Sequence, residues 1–316
     1  MMTDDRVMTA EELNARIAAG TINELIRTAE ARQIKDLSKI ADEICEDSQH
    51  RLVLIAGASA AGKTTTAKRI CTQLLVSGCS AAIHLSTDDY FVGDAANPRD
   101  ENGELDYEHV KCVDISRLAS DIHALLAGEA IPRRRFDFVK HEPCYADEYL
   151  SLPRGGMVVL EGIHALNPIL TETVDEASKF RVFVEPRPFL DVFGGFMPKP
   201  ADARFLRRMV RDNQFRKRNP VETVKMWPSV LAGEKKWIEP FRQTAHAAFN
   251  SYLIYELAAL RFYVEGLLVR CQHELGNDLR VNNMLRLVQS VTAISPETIP
   301  GDSILRETIG NSQLEY

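Results

Sequence analysis

The chain predicts an α/β fold of three layers built around a parallel sheet. Three observations carry this. Four short runs, at 52–56, 81–86, 157–160 and 180–184, are almost wholly apolar. Such runs mark strands buried on both faces, as strands in parallel sheets are. Helical patterns lie between them, and strand–helix alternation places helices on both faces of such a sheet. The first run also ends in a glycine-rich turn that opens a helix.

In chain order, residues 1–48 read as a helical N-terminal extension. Ile22, Leu25, Ile26, Ala29, Ile34, Leu37, Ile40, Ala41 and Ile44 recur there at helical spacing, with charges between them. A body at 49–316 follows. Its first strand, 52–56, leads through the turn into a helix from Lys63 to Val76. A polar loop runs from Asp88 to Asp106, with Gly93, Asn97-Pro98 and Asn102-Gly103 as turn signals. Asp114 is placed to cap a helix reaching Leu126. Residues 131–141 read as an extended arm, and 204–218 as a basic helix. At 246–270 the residues Phe249, Leu253, Leu257, Leu260, Val264 and Leu268 fit a helix, while 252–255 fits a last strand equally well.

Length and composition bound the function. A chain of 316 residues holds one large domain or two ordinary ones. Apolar residues are 45% and charged residues 26%, as in ordinary globular proteins. The formal net charge of −7 argues against bulk binding to nucleic acid or anionic lipid. The six cysteines include no Cys-x-x-Cys pair, which argues against a zinc ribbon or a disulfide framework and for reduced thiols. Residues 1–12 are acidic and lack the apolar core of a signal peptide, and no stretch approaches 18 apolar residues. A cytoplasmic protein with no membrane partner is expected.

The turn Gly57-Ala58-Ser59-Ala60-Ala61-Gly62-Lys63-Thr64 is G-x-x-x-x-G-K-T, set between a strand and a helix, which is the context of a P-loop. Glycine permits backbone angles that let successive N–H groups point inward as an anion nest. The helix N-terminus adds positive potential. Lys63 is placed to reach the outer phosphates of a nucleotide, and Thr64 offers a hydroxyl to Mg²⁺. Thr65 continues the same cradle.

Phosphoryl transfer needs a metal and a base at the acceptor, and such groups gather beyond the carboxyl ends of parallel strands. Asp88-Asp89 and Glu161 occupy those positions. Asp88 is assigned as the general base for an acceptor hydroxyl, and Glu161 as a holder of Mg²⁺ or its water shell. Arg204, Arg207, Arg208 and Arg211 share one helical face. From 204 to 218 there are seven basic residues against one acidic residue, Asp212. Such one-signed charge suggests an arginine lid at about 201–218 that meets ATP's phosphates, with Arg207 contributing to catalysis. An anionic substrate and nucleic acid are the other readings of this segment.

Together these stretches resemble the uridine kinase/phosphoribulokinase family of P-loop kinases. The resemblance lies in 54–68 (LIAGASAAGKTTTAK), 85–91 (LSTDDYF), 131–141 (IPRRRFDFVKH), 158–168 (VVLEGIHALNP) and 201–212 (ADARFLRRMVRD). It looks closest to a bacterial branch whose longer members carry a threonyl-tRNA-synthetase-like N-terminal region. That branch is matched at 97–115 (NPRDENGELDYEHVKCVDI), 226–241 (MWPSVLAGEKKWIEPF), 249–257 (FNSYLIYEL) and 303–310 (SILRETIG). The resemblance implies a nucleoside monophosphate kinase-like P-loop fold with a five-stranded parallel sheet, and ATP–Mg²⁺ transfer to a primary hydroxyl. It implies Asp88 as catalytic aspartate, Arg204, Arg207 and Arg211 as lid arginines, and Tyr90, Glu108, Phe136 and His141 around the substrate. Glu108-His109-Val110 stands where the family has Asp-His-Pro, and Phe136 where it often has a tyrosine.

The expected function is therefore an ATP- and Mg²⁺-dependent kinase of a small-molecule hydroxyl, the 5′-hydroxyl of a uridine- or cytidine-like ribonucleoside first. A sugar-phosphate or polyol kinase, using Arg133 to Arg135 on a substrate phosphate, is the alternative within the reaction class. A nucleotide-dependent regulatory switch is the alternative outside it. The N-terminal helices are expected either to pack on the body or to join copies in a homo-oligomer.

Overall fold

The computed structural model describes residues 7–99, 103, 105–137 and 140–314. Phe138 of the expected arm and Asn102 of the polar loop lie outside these residues. In order, the elements are β1 (Met8–Thr9), α1 (Ala10–Ala18), α2 (Ile22–Glu46), β2 (Leu52–Ala56), α3 (Lys63–Val76) and β3 (Ala82–Ser86). Then come α4 (Ile115–Ala127), β4 (Ile131–Asp137), β5 (Glu142–Leu150), β6 (Met157–Glu161), β7 (Lys179–Glu185) and β8 (Leu190–Asp191). The chain continues through α5 (Pro200–Phe215), α6 (Pro220–Trp237), β9 (Ala247–Asn250), α7 (Glu256–Leu275), α8 (Leu279–Gln289) and α9 (Arg306–Ile309).

Five strands form one sheet in the order β3-β6-β2-β7-β9, every neighbouring pair parallel. Period-two alternation splits its side chains between two layers. Val53, Ile55, Val159, Val182 and Val184 enter one core, shared with α2, α3, α5, α7 and α8. Leu52, Leu54, Val158, Leu160 and Phe183 enter the other, shared with α4 and the segment around Ile238. The continuous apolar runs are thus strands covered on both faces, and the three-layer fold is as expected.

The N-terminal helices join this architecture. The helical stretch is broken at Gly20, whose φ of +71° suits glycine. Ile26, Leu37, Ala41 and Ile44 of α2 are buried in the core that holds Val53 and Ile70. Packing on the body, the first of the two roles expected for these helices, is what the structure shows.

Two readings change. Residues 252–255 are not a strand. The strand is β9, and Ser251 then turns its hydroxyl to the Ala61 carbonyl, 2.6 Å away, before α7 begins. The expected arm is one half of an antiparallel hairpin, β4 with β5. Its partner was missed because β5 is exposed along nearly its whole length and carries no apolar alternation.

Candidate active site

The central strand β2 delivers the P-loop to the C-terminal edge of the sheet. Gly57 is required by close approach, since a Cβ there would lie 2.2 Å from the Val184 carbonyl oxygen. Ala60 and Gly62 adopt φ of +62° and +86°, the left-handed turns that fold a backbone nest. Lys63 is buried and folds back over the loop to donate to the Ala58 carbonyl at 3.3 Å.

Beside the loop, three strand ends converge. Register pairs Ser86 of β3 with Glu161 of β6. Glu161 Oε1 accepts the Ser86 hydroxyl at 2.8 Å and the Thr64 hydroxyl at 3.0 Å. Burial pushes the Glu161 carboxyl up to about 7, against the pull of Lys63, and Asp88 adds to the rise. His84 lies 3.9 Å from Glu161, but burial holds its ring down to about 3, so it stays neutral beside that carboxylate. Asp88 follows β3 in a short turn, its own N–H donating to the Ser86 hydroxyl at 3.3 Å. Its carboxylate makes no hydrogen bond or ion pair with the described residues.

Glu108 closes the site from another side. It is largely buried, which raises its carboxyl against the opposing influence of Arg208, 4.0 Å away. Gly233 of α6 lets it sit there, because a Cβ would come within 2.5 Å of the Glu108 Cβ. Glu108 Oε2 is buried and lacks a hydrogen-bond partner. At the rim, His141 Nδ1 lies 3.2 Å from both the Asp94 carboxylate and the Tyr107 hydroxyl, joining the hairpin to the polar loop.

Several expected site residues are placed elsewhere. Tyr90 points into the core and donates to Asp121 at 3.0 Å, with burial raising its phenol. Phe136 is buried edge-on against Phe91, ring centres 5.7 Å apart. Arg207 is not a phosphate-facing lid residue. It is 2% exposed, forks onto Glu256 at 2.6 and 2.7 Å, and donates to the Ala61 carbonyl at 3.2 Å and the Ser251 carbonyl at 2.8 Å. Arg204 is equally enclosed, paired with Glu234 at 2.6 Å and 3.4 Å from the Ser59 carbonyl. The physical reason is that α5 also carries Phe205, Leu206, Met209 and Val210, which bury it in the body. A helix packed that way turns its arginines onto carbonyls and carboxylates.

The cationic surplus survives further along. Asp212, fully buried, meets Arg211 at 3.2 Å, Arg208 at 3.3 Å, Arg218 at 3.5 Å and Arg216 at 3.6 Å. Burial works to raise its carboxyl, but these four cations, Arg211 foremost, hold it below the ordinary value. Arg216 is pushed down to about 10, chiefly by Arg211. Four guanidinium groups thus converge on one carboxylate. Arg208 also reaches the P-loop, donating to the Ser59 hydroxyl at 3.0 Å. Ser86 and Glu256 were not singled out from sequence, and Arg208 was read only as one of the arginines on the basic helical face. A lone glutamate in the apolar run from Phe249 to Leu260 was the available signal for Glu256, since a buried charge needs a partner.

Comparison with known proteins identifies the family. The model of the phosphoribulokinase / uridine kinase family matches residues 52–255. A uridine kinase from Deinococcus deserti is 32% identical over 192 residues, spanning 60% of this chain and 83% of that protein. One from Halobacterium salinarum is 31% identical over 192 residues, 60% of this chain and 76% of that protein. A solved structure described as a possible uridine kinase from Bacillus stearothermophilus is similar at 17% identity and a TM-score of 0.44, covering 68% of this chain and 98% of that one. The family pattern spans the P-loop, both strand-end carboxylates and the arginine helix, so the chain belongs to the phosphoribulokinase / uridine kinase family and is a phosphotransferase acting on an alcohol group.

Proposed function

We propose that this protein transfers the γ-phosphoryl of Mg·ATP to the primary 5′-hydroxyl of a pyrimidine-like ribonucleoside. One observation carries the choice of acceptor. Glu108 Oε2 is a buried acceptor without a partner, held inside the same site as the free Asp88 carboxylate. A group so enclosed is costly until a donor reaches it, and the vicinal hydroxyls of a ribose are donors of the right kind. The uridine kinase relatives support the nucleoside by name.

The residues fit a magnesium nucleotide. Among the described residues no group of three or more His, Cys, Asp or Glu forms a metal cage. Mg²⁺ needs none, because it is commonly held by one or two protein oxygens together with substrate phosphates. Thr64 and Glu161 would hold it, and a buried carboxylate whose proton is retained to about 7 is one that a dication would relieve. When bound, the metal would neutralise charge on the transferring phosphoryl group. Lys63 and Arg208 would meet the remaining phosphate charge from the two sides of the loop. Asp88 would accept the proton of the attacking hydroxyl, and His141 would contact the base at the rim.

The sugar-phosphate alternative needs free arginines on the hairpin. Arg133 is paired with Glu148 at 2.7 Å, Arg134 with Asp114 at 3.1 Å and Arg135 with Asp89 at 3.4 Å, which favours the nucleoside. The deciding experiment is an ADP-release screen with Mg·ATP against nucleosides, sugars and sugar phosphates. Turnover on pyrimidine ribonucleosides but not on their 2′-deoxy forms is expected. Turnover confined to sugar phosphates would overturn the acceptor, and none on any class would overturn the kinase reading of this site.

A further inference from the structure

The C-terminal segment lies on the phosphate cradle. Ile304 packs against Gly62, where a Cβ would come within 2.6 Å of its Cδ1. Glu307 then places its carboxylate on Thr65, accepting the Thr65 hydroxyl at 2.9 Å and its N–H at 3.4 Å. The segment is anchored independently of Glu307. Arg69 donates to the Asp302 carbonyl at 2.6 Å, and Arg306 donates to the Pro300 and Gly310 carbonyls at 3.1 and 3.3 Å. Thr65 and Arg69 are four residues apart on α3, so the segment follows one face of that helix.

Thr65 N–H belongs to the first turn of the helix that the P-loop opens. The N–H groups of that turn favour an anion. In this structure the anion is the protein's own. A third carboxylate would not be placed near Glu161 and Asp88 without cost, and Glu307 does add to the upward pressure on Glu161. A nucleotide phosphate seated on the Thr65 N–H and hydroxyl would meet the Glu307 carboxylate at the same donors, charge against charge.

We infer that Glu307 is a donor-site residue that competes with the nucleotide's phosphate for the amide and hydroxyl of Thr65. The carboxylate yields by side-chain rotation while the Arg69–Asp302 contact and the buried Ile304 and Leu305 keep the backbone in place. Glu307 thereby sets how tightly the donor nucleotide binds, without taking part in the transfer. This rests on the proposed nucleotide reading of the P-loop.

The test measures Mg·ATP binding by titration calorimetry to the full chain and to Glu307→Gln and Glu307→Ala. Glu307→Gln keeps a side chain able to accept from Thr65 but removes the charge. Both variants are expected to bind Mg·ATP roughly fivefold more tightly, the size of one charge interaction with a helix terminus. The ligand-free melting temperature should fall only for Glu307→Ala, which loses the contact itself. Unchanged or weaker Mg·ATP binding in both variants overturns the competition. Absence of Mg·ATP binding to all three proteins overturns the nucleotide reading itself, and this inference with it.

Discussion

Thr64, the first threonine of the P-loop helix, donates its hydroxyl to Glu161 at the end of β6, 3.0 Å away. The contact joins the phosphate cradle to a carboxylate more than ninety positions later in the chain, and Ser86 completes it from the neighbouring strand. A pH dependence follows. Below the ordinary glutamate value of 4.5, folded and unfolded chains both hold this proton. As pH rises, the unfolded chain releases it first, while the folded chain keeps it to about 7. The raised value therefore contributes stability that is fully present below 4.5 and gone above about 7. Urea denaturation at pH 4.5 and pH 8 should show wild type losing stability relative to Glu161→Gln as pH rises. A constant difference between the two proteins would rule this out. Mg·nucleotide affinity should increase over the same window, because the metal needs the ionised carboxylate.

Asp88 offers next to that cluster a carboxylate unpaired among the described residues. Asp88→Asn should lower kcat by about 10²–10⁴, the usual contribution of a general base, and leave Mg·ATP binding intact. Steady-state kinetics beside calorimetry separates the two effects. A variant that transfers phosphate at the wild-type rate would remove Asp88 from the chemistry.

Arg207 and Glu256 form a fully buried fork beneath the P-loop. Removing one partner of such a pair leaves an uncompensated charge and costs about 3–5 kcal/mol. Arg207→Ala should therefore show a large loss in chemical denaturation before any effect on turnover is considered. A stable Arg207→Ala protein with only kcat reduced would restore the lid assignment.

In the proposed function Arg208 serves the donor and Glu108 the acceptor, and the two lie 4.0 Å apart. Arg208→Ala should raise KM for ATP roughly tenfold, the loss of one charge-assisted contact. Glu108→Gln should raise KM for the acceptor by a similar factor and leave KM for ATP unchanged. Initial rates with each substrate varied in turn measure both, and an exchange of the two effects would invert the assignment.

Much of this site was readable where chemistry is local. Gly57 to Thr64 carry their function in consecutive residues, and Asp88 and Glu161 announce themselves by standing at the ends of apolar runs. Tyr90 and Phe136 were misplaced because a motif position states which residue is near a substrate, not which way its side chain turns. Asp121 supplies the partner that draws Tyr90 inward, and Phe91 the ring that holds Phe136. The hairpin partner β5 escaped notice because an exposed strand has no apolar period to read. Glu307 had no local signal at all, since its meaning lies in a threonine 242 positions earlier.

The sequence by itself determined the sheet, the cradle and the kind of chemistry. Strand burial and phosphate binding are written in short contiguous patterns, and each element forms for reasons within its own span. Tertiary structure decided what the arginines do. Seven basic residues on and just beyond one helix look alike in a sequence, yet burial of the apolar face of α5 forces Arg204 and Arg207 onto carboxylates and P-loop carbonyls. Arg208, Arg211, Arg216 and Arg218 are gathered around one aspartate. The division follows from where each side chain ends, since a buried guanidinium needs fixed partners: Arg204 and Arg207 find them in P-loop carbonyls and distant glutamates, Arg208 and its neighbours in Asp212.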